Sequence, residues 1–109
     1  MIIKNLTPIV LNIINDYGAT INIEPSGEVA RCKQTEKFVG ILPNAIPVTK
    51  QEFGEVEGLP APEPNTILVV SRLVAERVKD RTDVYVPGPL VRDEEGRIMG
   101  CRGLSALLY

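Results

Sequence analysis

Apolar and polar positions alternate in short runs along the chain, separated by turn residues, and this pattern predicts strands more often than helices. Ile9 to Ile14 is rich in β-branched residues, Asn15-Asp16-Tyr17-Gly18 has turn chemistry, and Ala19 to Glu24 alternates apolar with polar. Together they predict a β-hairpin with one buried face. Pro25-Ser26-Gly27 closes it and leads into a third strand over Glu28 to Lys33, with a fourth at Phe38 to Leu42. Pro43 and Pro47 bracket a short connection to another strand between Ile46 and Phe53. From Gly54 the period is lost, and Pro60, Pro62 and Pro64 at alternate positions favour an extended, ordered surface loop.

The second half reads differently. Thr66-Ile67-Leu68-Val69-Val70 is a continuous apolar run, the pattern of a strand covered on both faces. Ser71 is placed to cap a helix over about 72–80, with Val74 and Val78 on one face and Arg72 and Glu76 spaced as an i,i+4 pair. Asp83 to Val86 is a strand stopped by Pro87-Gly88-Pro89, so strand, helix and strand form a crossover with parallel partners. Leu90 to Ser105 predicts a hairpin turning at Asp93-Glu94-Glu95-Gly96. The expected fold is α+β: a mainly antiparallel sheet or small barrel with a single helix and one strand-helix-strand crossover. At 109 residues the expectation is a single domain, 1–109.

Composition narrows the chemistry. There is no histidine, which removes the commonest general base and metal ligand. With Cys32 and Cys101 as the only thiols, a four-thiolate zinc site within one chain is excluded, and neither metal nor cofactor is expected. A formal charge of −2 gives no field to attract polyanions, so duplex nucleic acid is not an expected partner. No run approaches the ~18 apolar residues of a membrane helix, and no membrane partner is expected. Pro8 and Asn12 interrupt the apolar N-terminus and no small-residue cleavage site follows, so the expectation is a cytoplasmic chain with reduced thiols. Without a secretory route, Asn5-Leu6-Thr7 carries no meaning as a glycosylation tripeptide.

Three segments have the residues to hold an anion: Ser71-Arg72 at the strand-to-helix junction, the Pro87 to Arg92 bend, and the Gly100 to Ser105 loop with Cys101, Arg102 and Ser105. Arg92, Arg97 and Arg102 recur at five-residue spacing, and guanidinium groups with backbone N–H donors suit an anionic small molecule. Each has a structural alternative: Ser71 as a cap, Arg72 paired with Glu76, Cys101 as a small buried hydrophobe, and the arginines as solvated hairpin charge. Cys101 lacks a histidine base, and the carboxylates of Glu55, Glu57 and Asp93 to Glu95 are further candidates for an enzymatic reading. A protein-interaction module is the alternative to ligand binding. There, the Phe53 to Pro64 segment would present Phe53, Val56 and Leu59, and an exposed strand edge would dimerise or capture a partner. Homo-oligomerisation is expected for so small a domain.

Several of these segments also form an ordered set: Asn5-Leu6-Thr7-Pro8, Pro25-Ser26-Gly27, Phe53-Gly54-Glu55-Val56-Glu57-Gly58-Leu59-Pro60, Val86-Pro87-Gly88-Pro89-Leu90-Val91-Arg92-Asp93 and Gly100-Cys101-Arg102-Gly103-Leu104-Ser105. The set resembles a family of small proteins from bacteriophages, prophages and some bacterial genomes. The resemblance spans nearly the whole chain. It implies a phage or prophage context and a host-protein or host-signal partner by analogy, and brings no assigned activity or site residues. Ile9 stands where that family often has a histidine.

Overall fold

The computed structural model describes residues 1–107, so the single-domain expectation over 1–109 includes two residues, Leu108 and Tyr109, that lie outside the described residues. The elements run β1 (Ile2–Asn5), β2 (Leu11–Ile14), β3 (Thr20–Ile23), β4 (Arg31–Leu42), a 3-10 turn (Pro43–Ala45), β5 (Ile46–Glu57) and β6 (Thr66–Val69). Then follow α1 (Arg72–Arg77), β7 (Val84–Pro87), β8 (Leu90–Arg92), β9 (Ile98–Arg102) and β10 (Leu104–Ser105). The fold is α+β: among the described residues there is one short α-helix, and none of the three sheets closes into a barrel.

β6 organises the body. Because strand side chains alternate, Leu68 and Val70 face one way and Val69 the other, and all three are buried. Leu68 and Val70 pack with Leu6, Ala30, Val74, Ala75, Val84 and Val86, a core between α1 and the sheet β1-β6-β7-β10. Val69 packs with Leu11, Ile13 and Cys101 of the second sheet, β3-β2-β9-β8. A strand sandwiched in this way has no solvent face, which is why its sequence shows no polar alternation. β6 pairs in parallel with both β1 and β7, so β6-α1-β7 is the expected crossover. The predicted hairpins β2–β3 and β8–β9 are both antiparallel, and Gly96 (φ 82°) makes the latter's turn.

The helix is shorter than expected. It ends at Arg77 because Val78 leaves helical geometry (φ −130°, ψ 42°) and turns its side chain onto the core. Ser71 caps it as predicted, its Oγ accepting from the Val74 N–H at 3.4 Å.

The largest departure lies between residues 31 and 57. In place of three separate short strands and an irregular loop, β4 and β5 are 12-residue partners in one antiparallel ribbon, registered from Arg31↔Glu57 to Leu42↔Ile46. Glu28 to Ala30, expected to begin a strand, lie ahead of it, and Gly54 to Glu57, expected in a loop, belong to β5, Val56 and Glu57 pairing with Cys32 and Arg31. Twelve residues of strand extend roughly 40 Å, and the molecule measures 53 × 40 × 29 Å. Its radius of gyration is 17.1 Å, against about 13 Å for a compact chain of this length. The ribbon is therefore an arm held out from the body.

Candidate functional site

The contacts that hold the arm to the body among the described residues lie at its base. Val56 packs onto the core beneath α1, and the Arg77 guanidinium lies over the Phe53 ring, 5.4 Å from its centroid. Lys33 and Glu57 form an exposed ion pair at 3.3 Å. The chain leaves the arm through Leu59 and Pro60, and there Arg81 acts as a clamp. Its Nε and Nη2 donate to the two carboxylate oxygens of Asp83 at 2.8 and 2.7 Å, and Nη2 also donates to the Pro60 carbonyl at 3.0 Å. The hydrogen bond from Arg81 holds the Asp83 carboxyl below its ordinary pKa, and the same bond raises that of Arg81.

Bulges between Cys32 and Gln34 and between Phe38 and Gly40 divide the arm into base, shaft and tip. The shaft carries charges of both signs. The tip carries none: residues 38–49 read Phe-Val-Gly-Ile-Leu-Pro-Asn-Ala-Ile-Pro-Val-Thr. Phe38 is 60% exposed, Val39 55% and Ile41 67%, with Leu42 and Ile46 also more than half exposed. Asn44 and Ala45 reverse the chain with positive φ values of 65° and 58°. Pro43 and Pro47 deprive the tip of N–H donors, which discourages another strand from pairing with it.

The anion-site residues scatter. Ser71 is spent on its cap, and the Arg72 Nε donates to Glu76 Oε1 at 3.2 Å. Arg92 Nη1 donates to the Gly96 carbonyl at 2.9 Å, and Arg97 pairs with Asp93 and Glu95 in the same turn. Arg102 is exposed at the end of β9, and Ser105 is half-buried opposite Val86 in β10. Cys101 is 4% exposed within the second core cluster, its thiol against the Gly103 carbonyl at 3.6 Å. Two of the three segments do meet: Pro87, Leu90, Gly100 and Cys101 line one cavity of about 240 Å³. Its remaining lining includes Ile9, Ile98 and Met99 and no charged residue. The close approach permitted at Gly88 is made by backbone, since a Cβ there would collide with the Arg102 carbonyl. Ser71 lines a different cavity, of about 420 Å³, with Thr7, Arg31, Cys32 and Gln34 from the loop after β1 and the arm base.

Both cysteines are free thiols. Among the described residues no group of three or more Cys, Asp or Glu side chains is placed to hold a metal ion. Among the same residues no helix is long and apolar enough to cross a membrane.

Asn5 and Thr7 are central to the architecture. The buried Asn5 side chain donates to the Ile9 and Ile23 carbonyls at 2.7 and 3.1 Å. Its Oδ1 accepts from the Thr7 N–H and hydroxyl at 2.9 and 2.6 Å. The tripeptide thus ties β1 of one sheet to β3 of the other.

Comparison with protein-family models, curated proteins and solved structures finds no match.

Proposed function

We propose that the chain is a non-enzymatic binding protein of the cytoplasm whose working part is the β4–β5 arm, docking onto a protein partner. One observation carries this reading: an uncharged tip of 12 residues, 38–49, is held in solvent with Phe38, Val39, Ile41, Leu42 and Ile46 each more than half exposed. Contiguous exposed apolar surface of this kind marks interaction sites. Its presentation on a ribbon that contributes little to the core argues against a purely structural role. The phage or prophage context implied by the resemblance makes a host or phage protein a suitable partner. The test is site-specific photocrosslinking in the producing cell, with p-benzoylphenylalanine at Ile41 and, as control, at the exposed turn residue Glu94. Adducts to protein are expected from Ile41 and not from Glu94, and their absence from Ile41 overturns the reading.

Anionic small-molecule binding keeps one supporting observation. The cavity of about 420 Å³ brings Arg31, Gln34, Thr7 and Ser71 together, and small-molecule sites span about 300–1,000 Å³ with a few convergent polar groups. In this reading Arg31 replaces Arg72, Arg92 and Arg102 as the cation. A thermal-shift screen of nucleotides and phosphorylated metabolites tests it: a rise abolished by Arg31→Ala supports the reading, and no rise refutes it.

A further inference from the structure

The body carries an uncharged hollow, as the arm carries an uncharged tip. The cavity of about 240 Å³ has no charged lining residue and contains no residue of the arm. Around it Ile9 is 64% exposed, Leu90 56%, Ile98 57% and Met99 56%. One chain therefore carries both an apolar projection that its own body leaves uncovered and an apolar hollow that its own arm leaves unfilled. A cavity of roughly 150 Å³ already accepts benzene, so the hollow has room for the Phe38 ring. Because both surfaces are uncharged, joining them strands no ion in a dry contact.

We propose that the occupant of each hollow is the arm tip of a second copy, so that two chains exchange arms reciprocally. This rests on the reading of the arm as a docking element and names its partner. The prolines and reversed backbone at the tip make the contact one of side chains into a cavity, with no added strand. A reciprocal exchange closes under a two-fold axis and leaves neither surface exposed. Alternation puts Leu42 and Ile46 on one face of the ribbon and Ile41 on the other, so about three tip side chains of roughly 100 Å² each, with a similar area around the hollow, bury roughly 1,200 Å² over two contacts, the lower end of stable interfaces.

The test is molar mass by light scattering at 10–100 μM. The wild-type chain is expected at twice its 11.9 kDa monomer mass. Phe38→Glu on the projection and Met99→Glu on the rim are each expected to weaken association more than 100-fold and run as monomers with unchanged circular dichroism. Leu90→Glu serves as a second rim variant should Met99→Glu fail to fold. Mixing Phe38→Glu with Met99→Glu restores one projection and one intact hollow, so a partial return of dimer is expected. A monomeric wild type, an assembly larger than a dimer, dimers surviving both substitutions, or a mixture that stays monomeric overturns the exchange. A monomeric wild type that instead floats with phosphatidylglycerol vesicles through Phe38 gives the tip to a lipid surface and also overturns it. If Ile41 crosslinks only to other proteins, the exchange fails while the docking reading stands. If it crosslinks to none, both fail.

Discussion

Replacing Arg81 with methionine keeps the apolar stem of the side chain and removes the clamp at the exit of the arm. The Asp83 carboxylate then loses both guanidinium donors and the Pro60 carbonyl loses its own. The two side chains are 21% and 15% exposed, a setting between the exposed pair that contributes about 0–1 kcal/mol and the buried charged hydrogen bond at about 1.5–3 kcal/mol. The clamp is therefore assigned about 2 kcal/mol, which lowers Tm by roughly 8–16 °C for a domain near 100 residues. Its pH dependence follows from the direction of the Asp83 shift. A carboxyl whose folded pKa lies below its unfolded value of about 3.9 contributes fully above that value and loses its contribution as pH falls through the folded pKa. Arg81, raised from an already high value, stays charged throughout this range. Thermal unfolding followed by circular dichroism at pH 7, 5 and 3 should show the full gap between wild type and Arg81→Met at pH 7 and 5, narrowing at pH 3. A drop below about 3 °C at pH 7, or a gap unchanged at pH 3, refutes the reasoning.

Asn5→Ala takes the side-chain partner from the buried Thr7 N–H and the part-buried Ile23 carbonyl, while the Ile9 carbonyl keeps the Thr7 hydroxyl at 3.2 Å, and is expected to cost about 1–3 kcal/mol in urea unfolding. Gly88→Ala forces a methyl group against the Arg102 carbonyl, and should lower the urea midpoint by the equivalent of about 1–3 kcal/mol. With Ellman's reagent, Cys32, half-buried at the arm base, should react in the native state, while Cys101 should react only at the rate of unfolding. Equal native-state rates for the two thiols would contradict the packing of Cys101 against Val69.

What the sequence disclosed and what it hid divide along physical lines. Val69 and its neighbours were legible because burial on both faces leaves a continuous apolar signature, and Ser71 because capping chemistry is local. The arm was not, because a two-stranded ribbon with water on both faces needs no apolar alternation. Gln34 to Lys37 therefore resembled a break between strands, although the cross-strand pairing runs through all four of them. The clustering of site residues depended on distant partners. Cys101 lies opposite Ile13, 88 positions away in the chain, and no local pattern announces that pairing. Asn5 looked like an idle tripeptide because one of its two acceptors, the Ile23 carbonyl, is 18 residues distant.

The parallel pairing of β2 with β9 has a consequence for biosynthesis. Ile13 emerges 88 residues before Cys101, so the second sheet stays incomplete until Cys101 has been made. The ribbon, built from neighbours along the chain, meets no such delay and forms first, as local contacts do. A nascent chain thus displays its apolar tip before the hollow around Leu90 and Met99 exists. Two ribosomes translating one message would bring newly made tips near older, finished bodies.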